Sequence, residues 1–135
     1  MPRRGAGSKP PLPQLASVVD RPGSTLHRLS AIDRHGRVAD REVIQALGWP
    51  PGTRLDINER HGLVMVLADP VGAFRVTGQG RLHLPIRIQR WCGLKAGDRL
   101  LLSGDRTTGE LVLCPPPALD DMVATYLAAT LGGDH

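Results

Sequence analysis

The 135-residue chain holds one phenylalanine, one tyrosine and two tryptophans, so aromatic side chains make up 3% of it. Its interior must therefore be filled by branched aliphatic side chains rather than rings. Lysine is almost missing, with Lys9 and Lys95 the only two among 17 basic residues. Cysteine is limited to Cys92 and Cys114, each inside an apolar run. Two isolated thiols give neither a disulfide framework nor a Cys/His zinc pattern, so buried thiols in a reducing cytoplasm are expected. No apolar run approaches the ~20 residues of a membrane span, and the arginines near the N-terminus precede no apolar stretch, so neither a membrane segment nor a secretory signal is expected. An acidic pair, a nucleophile–base pair and a phosphate-cradling loop are also missing, and "GAGSKP" (5–10) lacks P-loop spacing. The histidines at 27, 35, 61, 83 and 135 are scattered without metal-site spacing. The expectation is a protein that is not an enzyme and needs no cofactor and no metal.

What the chain does have is arginine. The formal net charge is +4 and the isoelectric point about 9.8. Arginine presents planar donors that suit phosphates and guanine edges. A GC-rich coding sequence would enrich it equally. The charge is unevenly spread. Residues 74–115 carry seven bases and three acids, whereas 29–69 carry five bases and six acids. Residues 1–28 carry five bases and one acid, and 116–135 carry three acids and no base. An anionic partner should thus meet the leading segment and residues 74–115.

Residues 1–25 are rich in Pro, Gly, Ser and charge, which predicts a disordered basic arm. Strand character begins at "LHRLSAI" (26–32), and "DRHGR" (33–37) is a turn. "EVIQALGW" (42–49) predicts a short helix ended by Gly48, and "PPGT" (50–53) a tight turn. "RLDIN" (54–58) alternates with period 2, "ERHG" (59–62) turns the chain, and "LVMVL" (63–67) is apolar throughout, as for a strand buried on both faces. A second pass then begins. "FRVT" (74–77), the turn "GQG" (78–80) and "RLHL" (81–84) lead to Pro85, suited to the first position of the helix "IRIQRWC" (86–92). "KAGD" (95–98) precedes a hairpin of "RLLLS" (99–103) and "ELVLC" (110–114), and the prolines 115–117 stop the sheet.

The two passes superimpose. Gly36 matches Gly80 at a shift of 44, and Gly48 and Gly52 match Gly93 and Gly97 at a shift of 45. This order of glycines, turns and strands is an internal repeat, over 26–69 and 70–117. A unit of this size cannot close a core alone, so the copies should pair into a pseudo-two-fold domain. Duplex DNA also offers two-fold-related half-sites.

The second copy carries Gly80-Arg81-Leu82, Leu84-Pro85, Cys92-Gly93-Leu94 and Gly97-Asp98. In these steps it resembles the AbrB/MazE/SpoVT family of swapped-hairpin DNA-binding domains over residues 74–115. The first copy resembles it less, having Asp40 where the proline stands. Two units in one chain resemble the arrangement of the MraZ proteins, although that family's D-x-x-x-R signature is in neither helix. The resemblance implies a mainly β swapped-hairpin (double-split) barrel with short helices that binds double-stranded DNA, as a transcription regulator or as an antitoxin repressing its own operon. The family's contacts come from the first strand, the turn and the short helix. Carried over, they fall on Arg75, Arg81 and Arg90, and on Arg37 in the first copy. Gln89 stands where the family has an arginine.

The chemistry of the segments widens this set. Arg75, Gln79, Arg81, His83, Arg87 and Arg90 lie in or near one turn, strand and helix, where they could reach bases or phosphates. An ordinary solvated face is the alternative. Arg34, His35, Arg37 and Arg41 form the counterpart in the first copy, interleaved with Asp33, Asp40 and Glu42, whose charge blunts attraction for phosphate. Trp49 and Trp91, near the two helix ends, are expected as core anchors rather than stacking platforms. Residues 118–132 predict an amphipathic helix with Leu119, Met122, Val123, Tyr126, Leu127 and Leu131 on one face and Asp120 and Asp121 in its first turn. It would pack on its own barrel, join two chains as a homodimer, or hold a toxin. A protein–protein adaptor that kept the barrel without DNA binding is the rival reading.

Overall fold

A computed structural model of the chain describes residues 24–132. Its strands arise where apolar residues alternate, and its turns where glycine takes a left-handed backbone. The order is β1 (Thr25–Ala31), α1 (Glu42–Ala46), β2 (Arg54–Arg60), β3 (Leu63–Ala68), β4 (Phe74–Arg75), α2 (Ile86–Trp91), β5 (Arg99–Asp105), β6 (Glu110–Cys114) and α3 (Pro116–Thr130). The arm expected over 1–25 lies outside the described residues except for Ser24 and Thr25, and Thr25 already pairs with Asp105.

The six strands form one antiparallel sheet in the order β1-β5-β6-β3-β2-β4. Two local hairpins, β2–β3 and β5–β6, are joined by pairings that cross between the halves: β1 with β5, β4 with β2, and β3 with β6. Exchanging β1 with β4, β2 with β5 and β3 with β6 reverses the order and leaves it the same. The two-fold relation runs through the β3–β6 pair, where Met65 faces Val112.

Backbone hydrogen bonds follow the same relation. Asp33 N–H donates to Arg37 O as Thr77 N–H donates to Arg81 O, both at 2.9 Å. Ile32 N–H donates to Asp98 O as Val76 N–H donates to Thr53 O, again at 2.9 Å. Residues at corresponding positions fill one shared core, among them Ile32 and Val76, Val38 and Leu82, Val43 and Ile88, Leu55 and Leu100, and Ile57 and Leu102.

The sheet is not closed into the expected barrel. β1 and β4 remain as edges, and β4 is only two residues long. Residues 81–84, expected as a strand, make only an isolated bridge, His83 opposite Arg37. Pro85 ends that stretch, because it offers no N–H and holds Leu84 extended. Residues 36–38 of the first copy and 82–84 of the second link to each other instead: Val38 N–H donates to Leu82 O and Leu84 N–H to Gly36 O, both at 2.9 Å.

Three further expectations change. β2 runs on to Arg60, so the turn expected over 59–62 shrinks to His61 and Gly62, with φ of 55° and 82°. A two-residue turn with both φ positive matches the twist of its strands. β3 is apolar but not buried on both faces: Val64 and Val66 are sealed, while Leu67 is exposed. The C-terminal helix starts at Pro116, so Asp120 and Asp121 lie in its second turn, and Leu131 caps it with helical φ. Its start meets β5 and β6, but no residue of it is buried, and Met122, Val123, Tyr126, Leu127 and Leu131 are all exposed. Among the described residues no helix is long and apolar enough to cross a membrane.

Candidate nucleic-acid interface

Each copy builds its first turn from one short side chain that accepts backbone N–H groups. In the first copy Asp33 Oδ1 accepts from His35 N–H at 2.8 Å and Arg37 N–H at 2.9 Å. In the second, Thr77 Oγ1 accepts from Arg81 N–H at 3.0 Å. Gly36 and Gly80 complete the turns at φ of 81° and 79°, in the left-handed region that favours glycine. The turns thus present Arg34 and His35 in the first copy and Gly78 and Gln79 in the second, all four exposed.

The crossing of the copies sets each turn against the segment that follows the other copy's turn. His83 Nε2 lies 2.8 Å from the His35 carbonyl, so with Nε2 protonated it donates there. Arg41, at the start of α1, reaches back to the second turn, where Nη1 donates to Gln79 O at 3.4 Å. Arg37 and Arg81, which correspond across the repeat, are both half-buried, and the Nε of each is buried without a hydrogen bond. Arg37 Nε sits 3.3 Å from Asp33 Oδ2, near enough for an ion pair but not aligned for a hydrogen bond. Arg37 and His35 therefore lie beside His83, and Arg41 beside Gln79, at the two ends of the junction between the copies.

The acids interleaved with this group are largely occupied. Asp40 Oδ2 accepts from Val43 N–H at 2.9 Å, so Asp40 acts as the cap of α1, and its Oδ1 lies 3.2 Å from Arg28 Nε. Glu42 pairs with Arg28 Nη1 at 2.8 Å. Asp33 has its carboxyl held below the ordinary carboxylate range, chiefly by the hydrogen bond from Arg37 N–H, against a smaller upward push from burial. Each of these carboxylates thus answers a local demand of the turn or helix cap.

Three sequence-chosen residues lie elsewhere. Arg75 is on the edge strand β4, directly opposite Arg54, whose Nε donates to Gly72 O at 3.0 Å. Arg87 lines a groove with Asp56, Glu59 and Trp91. Arg90 is exposed near the end of α2, with no ion pair among the described residues. Gln89 points inward, its Nε2 donating to Leu84 O at 2.7 Å beside Gly36. It corresponds to Ile44, so it occupies a core-facing position rather than an outward one.

Arg28 and Arg54 were not singled out from sequence. The alternation of β1 would have placed Arg28 on the face of Ser30, but its pairing with Asp40 depends on the chain returning to that face. Burial raises the thiol pKa of Cys92 and Cys114, and Glu59 adds a smaller upward push at Cys92. The described residues contain no cluster of His, Cys, Asp and Glu suited to a metal ion. Comparison with protein-family models, curated proteins and solved structures found no match for this chain.

Proposed function

We propose that the chain is a cytoplasmic, sequence-selective regulator that binds double-stranded DNA, with the strand exchange of the AbrB/MazE/SpoVT type. The observation that carries this reading is the two-fold relation within one chain, which sets each arginine-bearing turn against the segment after the other. Duplex DNA repeats its phosphates and base edges with the same symmetry. The exposed Arg34 and Arg41 suit phosphates, which supply salt-dependent affinity. Arg37 and Arg81, held half-buried at corresponding places, suit fixed contacts within a groove, and Gln79 offers a side-chain amide beside them. The mechanism is occupancy: the bound protein blocks or recruits at its site. No enzymatic step is assigned.

The first copy enters this reading as a contributor, because the crossing puts Arg41 on the turn of the second copy. Arg75 and Arg87 become peripheral, and Arg90 a flanking contact.

The exposed apolar face of α3 favours a second reading, in which a protein docks there. That partner is a second copy in a homodimer, or a toxin whose operon the chain represses.

The deciding experiment is fluorescence anisotropy with labelled duplex from upstream of its own gene and with random duplex, across a salt series. Binding should fall steeply with salt and favour the upstream duplex. Arg81→Ala or Arg37→Ala should weaken it by about 1–3 kcal/mol. An absence of binding at low salt, or binding indifferent to both substitutions, rejects the reading.

A further inference from the structure

Away from the turns, α2 leaves a large apolar side chain uncovered. Trp91 is 64% exposed, against 5% for Trp49. The expectation that both anchor the core fails for Trp91, because its place in the repeat corresponds to Ala46, on the outward side of the short helix. Two adjoining hollows share this indole. One, of about 560 Å³, lies between the β2–β3 turn and the start of α3 and is lined by Pro115, Pro117, Asp120 and Asp121. The other, of about 680 Å³, lies between α2 and β2 and is lined by Asp56, Glu59, Phe74 and Arg87. The two meet at the indole as one trough, with three prolines, Pro85, Pro115 and Pro117, beside it and four carboxylates against one guanidinium.

This is the reverse of the chain's overall charge. It sits on a protein with a net charge of +4. The chain itself contains a segment of complementary chemistry. Residues 1–23 carry Arg3, Arg4, Lys9 and Arg21 against Asp20, together with Pro2, Pro10, Pro11, Pro13 and Pro22. Proline-rich segments pack their rings on aromatic side chains, and neighbouring basic groups are drawn to carboxylates and to the indole face. A segment of this length spans up to about 75 Å when extended, enough to reach the trough from Ser24 around one side of a domain this size.

We propose that the trough along Trp91 is the docking site of this chain's own leading segment, with "RR" and "KPPLP" supplying the cations and the prolines. The docked segment covers Trp91 and neutralises the carboxylates around it. This inference is independent of DNA binding by the turns, and either can fail alone.

The test uses the full chain throughout and reads acrylamide quenching of tryptophan emission. Trp49 is buried, so quenching reports Trp91. Three chains are compared with the parent: Arg3→Glu with Arg4→Glu and Lys9→Glu, then Asp120→Lys with Asp121→Lys, then the two sets combined. Docking predicts a shielded Trp91 in the parent, quenching raised about twofold or more by either set alone, as for an exposed indole losing its cover, and shielding regained when the charges are exchanged together. Shielding should persist on dilution. Full quenching in the parent overturns the proposal. So does shielding lost on dilution, since the cover is then a second molecule, and so does shielding untouched by both sets.

Discussion

The two copies begin their helices differently and end in the same place. In the first, Asp40 caps α1 through Val43 N–H, receives a hydrogen bond from Arg28, and donates its own N–H to the buried Ser30 Oγ at 2.8 Å. In the second, Pro85 opens α2 with φ of −60° and no side-chain cap. The first solution satisfies a helix-end donor with a carboxylate, and the second relies on a ring that fixes φ in advance. The backbone around them coincides all the same. Trp49 N–H donates to Ile44 O and Leu94 N–H to Gln89 O, at 3.2 and 2.9 Å. The lesson is that the repeat is held by backbone bonds and a shared aliphatic core, while the outward side chains are at liberty to diverge. That divergence gives one turn Asp33, Arg34 and His35 where the other has Thr77, Gly78 and Gln79.

The sharpest way to break the comparison is to separate its halves. Residues 70–117 alone keep the β5–β6 hairpin but lose β1 from β5, β2 from β4 and β3 from β6, since β1, β2 and β3 all belong to the first copy. The isolated piece should be unfolded, or folded only as a dimer in which a second copy replaces the first. A folded monomer by analytical ultracentrifugation and circular dichroism would refute the exchange of strands.

Next in size is the core at the junction. Leu82 is sealed from solvent and lies across from Val38, also sealed. Leu82→Ala should cost about 2–5 kcal/mol in urea unfolding, and Val38→Ala less, because fewer methyl groups are removed. Equal losses would mean the two segments do not share one packed site.

The paired glycines come third. A Cβ at Gly36 would collide with the Gln89 side-chain amide and lie 3.1 Å from Leu84 O, whereas at Gly80 the nearest atom is Arg41 Cδ at 4.0 Å. Both alanines suffer the left-handed backbone, at roughly 1–2 kcal/mol. Gly36→Ala should be the worse of the two, because Gln89 must also give up its bond to Leu84 O. Equal melting temperatures for the two variants would contradict this packing.

The helix starts should differ too. Asp40→Ala loses a cap and the Arg28 pair, for about 1 kcal/mol, and Pro85→Ala should cost less. The smallest effect concerns acid. The folded value of Asp33 is lowered from its ordinary 3.8. The stability it contributes is present above that ordinary value and is lost as pH falls through the lowered one. Asp33→Thr, which copies Thr77, should keep the fold and remove that part of the acid dependence. A melting temperature that falls with acid as steeply as in the parent would show that the turn does not use the carboxylate.

Sequence made much of this fold legible for a physical reason. Glycines that need a positive φ, alternating aliphatic positions and the Leu84-Pro85 step act locally, so they can be read without knowing what lies across from them. The duplication was visible for the same reason. Whether the sheet closes was not, because closure depends on what reaches the edges β1 and β4. The candidate site was half legible. Arg34, Arg37, Arg41, Gln79, Arg81 and His83 could be chosen as residue types near turns. Yet only the crossing of the copies joined Arg41 to Gln79 and turned Gln89 inward. It also set Arg87 among acids.

The sequence by itself thus determined the duplicated frame, the turns, the aliphatic core positions and the unequal charge of the two copies, since these rest on backbone preference and periodicity. The tertiary structure alone decided that Arg41 meets Gln79 and His83 meets His35, that Arg28 pairs with Asp40, and which tryptophan stays uncovered. The meetings across the copies come from contacts between residues 38 and 48 positions apart, and no local rule reaches that far.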